Sequence, residues 1–299
     1  MTVGNLVRRV AWHVRTDAEF RSLGWRPGGF LLPYYYGRLR DRLPGSRAPL
    51  VRRFAVRHGR SGRTRSVYLR LSPGVGDWIV LRGVWIHQDY WHPRVRGCRT
   101  VLDVGANIGL AAVWFRELLP RAEIACVEPD PRNLPLARLN LAANEIAAPV
   151  LACAIAPRAG RVRLGIGADT AQSALDGAGP YRHAEFVDVE ARRVPDVLDA
   201  LGWPRVDLLK LDVEGLERDL FADAGDWLGR VGLVLFELHP NVREEEIRAL
   251  LRRHRWMLER VGYRAEQTFL ARPARDAAPR AWSGPTVAAR GRRSDGAGD

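Results

Sequence analysis

Segment 206–217 is rich in apolar residues, but three charged residues occupy every second position in its middle: Lys210, Asp212 and Glu214. If this segment is a strand that runs into a turn and a helix, the alternation places all three on one side. Charges near the end of a core strand are costly to bury unless they are paired or functional. The alternative is structural, with Lys210 and Asp212 as an ion pair and Glu214 as a helix cap. Lys210 is also the single lysine beside 46 arginines, which indicates a position that needs a compact ammonium group.

A histidine ends another apolar run, segment 233–240. An imidazole there could act as a general base, although a histidine before a proline can also be a capping or structural residue. We therefore take four residues as candidates for catalysis: Lys210, Asp212, Glu214 and His239. A divalent cation on Asp212 and Glu214 is conceivable, but the spacing shows no second cluster of ligands, so we predict no metal site.

A glycine turn in segment 101–109 is the strongest binding motif of the chain. Gly105 permits a tight turn after a buried strand, and Gly109 allows the following helix to pack closely against that strand. The turn presents backbone N–H groups at a helix N-terminus, which suits a carboxylate or another polar ligand. Asp103 is expected at the carboxyl end of the strand, pointing into the crevice where such sheets bind ligands. Alone, the motif is also compatible with an ordinary strand–helix turn.

The next apolar run, segment 124–130, ends in a carboxylate that could accept hydrogen bonds from both hydroxyls of a ribose. Asp130 stands in a good N-cap position before a proline, which leaves Glu128 free for a ligand. A dinucleotide would prefer three glycines around its pyrophosphate, but Asn107 occupies the middle position of the loop. Asn107 can instead hydrogen-bond the amino-acid end of S-adenosylmethionine, which carries no phosphate. We predict that this cofactor is bound by five residues: Asp103, Gly105, Asn107, Gly109 and Glu128.

Apolar runs and helical segments alternate from residue 99 onward, which favours an open, mostly parallel sheet with helices on both faces. Seven segments are predicted strands: 99–104, 122–128, 149–156, 206–212, 232–238, 257–263 and 266–271. Five are predicted helices: 108–119, 131–143, 195–201, 215–229 and 242–255. Segment 161–190 interrupts the alternation with two strands around a polar loop, 169–173, that could cover a substrate. The predicted fold class is therefore α/β, with a Rossmann-like core of seven mostly parallel strands.

The N-terminal third is organised differently and contains several glycine and proline breaks. Its predicted elements are short helices over 4–15 and 34–42, a β-hairpin from 50–57 and 63–72, and a second strand pair within 77–87. We divide the chain into a basic, β-rich N-terminal extension over 1–97, a cofactor-binding domain over 98–271 and a disordered tail over 272–299. The tail is assigned from its content of Ala, Arg, Gly and Pro.

Positive charge is concentrated in the first hundred residues, where 20 arginines stand beside five acidic residues. The remaining 199 residues hold 26 arginines, one lysine and 29 acidic residues, so the net charge of +13 belongs to the N-terminal third. Such a region can attract an acidic protein, an anionic membrane surface or nucleic acid, although a solvated basic face is the simpler alternative. For residues 1–97 we predict an acidic partner or an anionic membrane surface rather than nucleic acid.

The three cysteines, Cys98, Cys126 and Cys153, have no metal-ligand spacing, and their odd number argues against a disulfide framework. No apolar run is long enough for a transmembrane helix, and the first residues do not resemble a secretory signal. These features favour a cytoplasmic protein, peripheral to the membrane if its basic region binds lipid.

Together these motifs resemble the FkbM family of methyltransferases, over about residues 85–270. The matching residues are 103–109, 128–129, Asn140, 210–217 and 237–239. The resemblance implies a class I methyltransferase fold, S-adenosylmethionine as methyl donor, and an acceptor hydroxyl on a sugar or a polyketide-type small molecule. It also implies cofactor positions at Asp103, Gly105, Asn107 and Glu128, with Gly109 supporting the turn.

The catalytic hypothesis is an in-line displacement in which Asp212 or His239 removes the proton of the acceptor hydroxyl. Lys210 would orient that base or stabilise the oxyanion. The first alternative is a nucleic-acid methyltransferase that uses the basic N-terminal region, but the acidic turn after residue 211 would repel a phosphate backbone. The second is a catalytically inactive binding module that retains the fold and shows no affinity for the donor.

Overall fold

A computed structural model describes residues 3–26, 28–40, 50–71, 76–167, 172–178, 183, 185–261 and 267–274. Most of the predicted disordered tail, from residue 275 onward, lies outside the described residues. Its first two residues belong to a strand, Gln267–Pro273, because Arg272 and Pro273 still pair with the neighbouring strand. Among the described residues, no helix is long and apolar enough to cross a membrane.

The strands and helices are numbered in chain order. The strands are β1 Val51–Arg57, β2 Thr64–Arg70, β3 Thr100–Val104, β4 Glu123–Val127, β5 Val150–Leu151, β6 Ala154–Ile155, β7 Gly160–Ile166, β8 Ala174–Leu175, β9 Glu185–Arg192, β10 Val206–Leu211, β11 Val231–Leu238, β12 Trp256–Arg260 and β13 Gln267–Pro273. The α-helices are α1 Val3–Phe20, α2 Leu31–Arg40, α3 Asp77–Leu81, α4 Leu110–Leu118, α5 Leu134–Ala142, α6 Val194–Ala200, α7 Glu217–Ala222 and α8 Glu244–Arg253.

Seven strands form the central sheet, in the order β12-β13-β11-β10-β3-β4-β5. The strands from β11 to β5 in this order are parallel, whereas β13 runs antiparallel to both β11 and β12. The strand order changes direction between β3 and β10, and loops that leave neighbouring parallel strands there diverge to form a crevice. The mostly parallel, seven-stranded α/β core predicted from the sequence is confirmed.

Neighbouring residues of the central strands point to opposite faces of the sheet, which is why these strands read as continuous apolar runs. Val101 and Leu208 pack in one hydrophobic cluster with α4 and α5. Leu102 and Leu209 pack in a second cluster with α6, α7 and α8. Helices therefore cover both faces of the sheet, as the alternation of elements predicts.

Segment 161–190 contributes to a second sheet of four strands, in the order β6-β9-β7-β8. The predicted strand 149–156 is split as a result, since β5 ends the central sheet and β6 pairs with β9 in the second sheet. The strands expected near 161–166 and 185–190 are present as β7 and β9. Part of the predicted polar loop, residues 169–171, lies outside the described residues.

The N-terminal region contains the predicted hairpin, in which β1 and β2 pair antiparallel. The second strand pair, predicted within 77–87, is wrong, because α3 continues directly into a π-helix, Arg82–His87. Trp78, Leu81 and Trp85 are buried, and their spacing is that of one helix face. The sequence suggested strands instead, because Trp, Ile and Val are common in strands. With α1 and α2, the described part of this region holds more helix than strand, so the description as β-rich is corrected.

The N-terminal elements pack directly on the helices of the central sheet. Phe30 and Trp78 belong to the same hydrophobic cluster as Trp114 of α4. Asn140 of α5 exchanges hydrogen bonds with the backbone of Tyr68 in β2, at 2.6 and 3.2 Å. The predicted boundary between extension and core is thus crossed by apolar and polar contacts, and the division into domains stays a prediction.

Candidate active site

A cavity of about 720 Å³ lies at the carboxyl ends of β3, β4, β10 and β11. Its volume is in the range of small-molecule sites, and its place is where open parallel sheets bind their ligands. Seven of the nine predicted site residues line it: Gly105, Asn107, Glu128, Lys210, Asp212, Glu214 and His239. The other two, Asp103 and Gly109, are not part of its wall.

Gly105, in the loop after β3, lies so close to the end of β10 that there is no room for a side chain. Its φ of 71° is left-handed, and a Cβ atom there would lie 2.0 Å from the backbone oxygen of Asp212. The N–H groups of Gly105 and Ala106 both donate to the carbonyl of Val127, at 3.0 Å. The turn therefore joins the ends of three strands, and it requires glycine for both conformation and space.

Gly109 shapes the same loop from behind. It precedes α4 with a φ of 79°, and a Cβ atom there would lie 3.3 Å from the backbone oxygen of Ala137 in α5. The close approach is therefore between two helices, not between a helix and a strand as the sequence predicted. Asn140 supports this turn as well, because its Nδ2 donates to the carbonyl of Ile108 at 2.8 Å.

Glu128 is buried at the end of β4 and accepts three hydrogen bonds. The backbone N–H of Asn107 donates to Oε2 at 2.7 Å, and Oε1 accepts from the backbone N–H of Asp130 and from Nδ2 of Asn133, at 2.8 and 3.3 Å. The expectation of a free carboxylate is thus wrong, because Glu128 already holds the loop at Asn107. Its oxygens keep further lone pairs for a ligand. Burial raises the pKa of Glu128 to about 7, against the hydrogen bonds that lower it.

Asp103 points into the protein and pairs with the single lysine of the chain. Its side chain is fully buried, and its Oδ1 lies 3.2 Å from Nζ of Lys210. The prediction that it faces the crevice is wrong, because the neighbouring ammonium group attracts its carboxylate inward. Lys210 also donates to the carbonyl of Gly105 at 2.7 Å and lies 3.6 Å from Oδ2 of Asp212. Burial lowers the pKa of Lys210, but Asp103 and Asp212 raise it above its usual range, so the ammonium group stays charged.

His239 lies among three carboxylates at the end of β11. Its Nε2 is 3.2 Å from Oε2 of Glu214 and 3.8 Å from Oδ1 of Asp212, and its Nδ1 is 2.7 Å from Oε1 of the buried Glu217. Burial alone would lower the pKa of His239, but the hydrogen bonds that its ring donates to Glu214 and Glu217 raise it to about 12. These carboxylates favour the protonated imidazole, which makes His239 a poor general base. Sequence reasoning missed Glu217, which reads as an ordinary acid in the first turn of α7.

Three side chains of this cluster lie close enough together that they could hold a cation. One ligand atom each from Asp212, Glu214 and His239 lie within 4.8 Å of one another. Two carboxylates and an imidazole suit a divalent cation, which would replace the proton on His239. The spacing within segment 206–217 did not reveal this set, because the third ligand comes from the adjacent strand.

Tyr90 and Glu237 also line the cavity and were not predicted as site residues. The Tyr90 hydroxyl donates to Oε1 of Glu237 at 2.5 Å, and Nζ of Lys210 lies 5.2 Å from the centre of the tyrosine ring. Burial raises the pKa of Tyr90, so the phenol keeps the proton that it donates. Glu237 could have been predicted, because it is an acidic residue within the apolar run of β11. Tyr90 follows the π-helix, where nothing in the sequence marked it.

One wall of the cavity is formed by residues 172–175, which comprise β8 of the second sheet and the two residues before it. Ser173 fixes this wall, since its hydroxyl donates to Oδ2 of Asp130 at 2.7 Å and accepts from Nη2 of Arg132 at 3.0 Å. Arg132 also donates to the carbonyl of Gly167 at 3.0 Å. These hydrogen bonds attach the wall to the turn that follows Glu128. The wall belongs to segment 161–190, which the sequence analysis predicts as a possible cover for the substrate.

Comparison with protein families gives a match to the one described as "Methyltransferase FkbM domain", over residues 103–265, more than half of the chain. Among curated proteins, the chain is 30% identical over 152 residues to the 2-O-methyltransferase NoeI of Sinorhizobium fredii, covering 46% of this chain and 62% of that relative. It is 30% identical over 186 residues to the 31-O-demethyl-FK506 methyltransferase FkbM of Streptomyces tacrolimicus, covering 52% of this chain and 71% of the relative.

Solved structures show a likeness of fold at low identity. One is the T. thermophilus 16S rRNA N2 G1207 methyltransferase in complex with AdoMet and guanosine, with a TM-score of 0.43 and 17% identity, covering 77% of this chain and 52% of that one. Another is the O-methyltransferase TomG from Streptomyces achromogenes in complex with SAM, with a TM-score of 0.35 and 15% identity, covering 60% and 74%.

Proposed function

Because the chain belongs to the FkbM family of methyltransferases, we propose that it transfers the methyl group of S-adenosylmethionine to a hydroxyl group of a small molecule. The observation that carries this proposal is the meeting of two features in one cavity. On one side lies the glycine loop held by Glu128, and on the other the polar cluster around Asp212.

The donor side of the cavity fits the parts of S-adenosylmethionine. When bound, this cofactor would supply an electrophilic methyl group. The amide of Asn107 suits its amino-acid end, and the remaining lone pairs of Glu128 suit the ribose hydroxyls. Ala154 and Ile155 line the same cavity and offer an apolar surface to a purine. Gly105 keeps the centre of this cradle clear of side-chain atoms.

Donor affinity is expected to fall as the pH drops below about 7. Burial places the pKa of Glu128 at about 7, so its carboxylate gains a proton as the pH falls through this value. If the ribose binds the ionised form, the apparent Kd rises toward about tenfold per pH unit below the pKa. Isothermal titration with S-adenosylmethionine across this range measures the slope.

The matched variant for this measurement is Glu128→Gln, which keeps the shape of the side chain but cannot ionise near neutral pH. It should bind the donor more weakly than the wild type at alkaline pH and show no slope of its own. A wild-type Kd that is constant across the range, or a slope that persists in Glu128→Gln, would contradict a role for this carboxylate in donor binding.

On the acceptor side, Asp212 is the general base that the geometry supports best. Its Oδ2 is fixed by Lys210, whereas its Oδ1 accepts no hydrogen bond from the described residues. Glu214 is less available, because its Oε2 lies closer to Nε2 of His239, at 3.2 Å against 3.8 Å for Oδ1 of Asp212. An alcohol is a weak nucleophile that must lose its proton as it attacks, so a carboxylate held at this position can take that proton.

His239 takes the part of a positioning residue in this scheme. Its charged ring holds Glu214 and is itself held by the buried Glu217, so the acids at this end of the cavity keep one arrangement. Proton removal by Asp212 leaves Lys210 and His239 as the two cations beside the reacting oxygen. Both would stabilise negative charge that develops there.

For the acceptor, we propose a hydroxyl on a sugar or a polyketide-type molecule. Support comes from the printed activities of two relatives, a 2-O-methyltransferase and a 31-O-demethyl-FK506 methyltransferase. The chain spans 62% of the length of the first of these relatives, so the acceptor is a proposal for this chain and not a property carried over.

Two assays separate this function from its alternatives. Binding of S-adenosylmethionine should raise the melting temperature, because a ligand at 100 times its Kd stabilises the folded state by about 2.7 kcal/mol. Transfer of labelled methyl groups to a panel of glycosides and macrolides should then identify a hydroxyl acceptor. A protein without any donor-induced shift would be a binding module, and labelling of RNA or DNA alone would indicate a nucleic-acid methyltransferase.

A further inference from the structure

Helix α2 exposes an apolar stripe to solvent. Leu32, Tyr35, Tyr36 and Leu39 are 74%, 48%, 52% and 63% exposed. Their spacing of i, i+3, i+4 and i+7 places them along one side of the helix. Such a stripe normally faces a protein core, so its exposure along the whole helix indicates a surface that meets something else.

The orientation of α2 is fixed by its opposite side. A Cβ atom at Gly37 would lie 1.8 Å from the backbone oxygen of Leu71, so the helix backbone is seated directly on the end of β2. Tyr34 packs on the fully buried Phe30, with ring centroids 5.3 Å apart. The exposed stripe is therefore the outer side of a firmly packed helix.

Helix α1 extends the apolar character beside this stripe. The Tyr35 hydroxyl lies 2.9 Å from Nδ1 of His13 in α1, and the two rings are in edge contact. The neighbours of that histidine, Trp12 and Val14, are 42% and 58% exposed. The two helices therefore present apolar and aromatic groups together.

Exposed charge around these helices has one sign. Among the described side chains of residues 12–71, the exposed charged residues are eight arginines, and one of them, Arg52, lies 5.7 Å from the ring centre of Tyr36. The two acids among the described residues of that range are both held by partners within the protein. Asp17 accepts hydrogen bonds from the backbone of Gly28 and Phe30, and Glu19 pairs with Arg82 at 2.5 Å.

We propose that Leu32, Tyr35, Tyr36, Leu39 and the neighbouring Arg52, together termed the α2 surface, dock the protein on an anionic lipid membrane. An interfacial helix buries apolar and aromatic side chains at the level of the lipid headgroups, while arginines around it bind anionic lipids. Nucleic acid fits less well, because the leucines at both ends of the stripe offer no ring on which a base could stack. The proposal does not depend on the methyl acceptor or on the donor.

The surface lies near the cavity. Ile79, which is 54% exposed, belongs to the cavity wall. Its neighbour Trp78 packs on Phe30 just before α2, with ring centroids 5.3 Å apart. Docking through α2 would therefore hold the cavity close to the bilayer, within reach of an acceptor that partitions into the membrane.

Co-sedimentation with lipid vesicles tests the proposal on the full chain. We expect binding to vesicles of phosphatidylcholine mixed with phosphatidylglycerol, little binding to phosphatidylcholine alone, and weaker binding as salt rises. The double variant Leu32→Ser/Leu39→Ser should bind the anionic vesicles about tenfold more weakly or worse, since two inserted side chains are lost. A second variant, Arg52→Ser, should bind less and lose part of the salt dependence.

The matched control is Leu139→Ser/Met257→Ser, which removes two apolar residues that are 40% and 43% exposed elsewhere on the molecule. It should bind vesicles like the wild type, and the circular dichroism of all variants should match. Three results would overturn the proposal: no binding to anionic vesicles, equal loss in the control, or unchanged binding of both α2-surface variants. RNA binding that needs Arg52 but not the leucines would assign the surface to nucleic acid instead.

Discussion

Replacement of Asp212 by asparagine is expected to lower kcat by about 10²- to 10⁴-fold, the usual contribution of a general base. The amide has the size and shape of the carboxylate but cannot take the proton of an alcohol. The Kd for S-adenosylmethionine should change little, because the backbone N–H of residue 212 donates to the carbonyl of Val104 beside the cofactor loop at 3.1 Å, and the substitution keeps this bond. Steady-state methyl transfer, with donor binding measured in parallel, tests both statements.

Variants of His239 distinguish the two bases that the sequence allows. His239→Gln removes the cation that holds Glu214, so a moderate loss of kcat is expected, smaller than that of Asp212→Asn. If His239 were the base, its variant would be at least as impaired as Asp212→Asn, and the loss would follow the titration of a histidine. If both variants fold and turn over like the wild type, neither Asp212 nor His239 is the general base.

The convergence of the site was predictable because parallel strands end at the same edge of a sheet. Lys210 and Asp212 end one strand and His239 ends the next, so apolar runs that stop at polar residues predicted their meeting. The direction of each side chain was not predictable. Asp103 and Asp212 both lie near strand ends, yet one turns inward to an ammonium group and the other faces the cavity.

Residues that act through tertiary contacts left little trace in the sequence. Glu217 looks like a favourable acid at a helix start, and only the fold shows its carboxylate on the ring of His239. Tyr90 belongs to a region whose helices were concealed by β-favouring residue types. Glu128 lines the cavity, but its bond to the backbone of Asn107 depends on how closely two loops approach, which the sequence does not show.

A second large effect is expected from Gly105→Ala, which should weaken donor binding by at least about tenfold and destabilise the protein. The left-handed conformation costs a residue with a Cβ atom about 1–2 kcal/mol. The new atom would also lie 2.0 Å from the backbone oxygen of Asp212, and relief of such overpacking costs about a further 1–3 kcal/mol. Since neither backbone can move alone, the loop must leave the end of β10, and the cradle for the donor widens.

The control for this variant is Gly202→Ala, at a glycine with a similar φ of 67° but with no atom within 4 Å of the added Cβ. It should lose only the conformational part of the free energy of unfolding and keep the Kd for S-adenosylmethionine. Urea unfolding and isothermal titration on both variants separate strain from collision. If Gly105→Ala bound the donor like the control, the contact between the loop and Asp212 would not define the donor site, and the cofactor would have to bind elsewhere in the cavity.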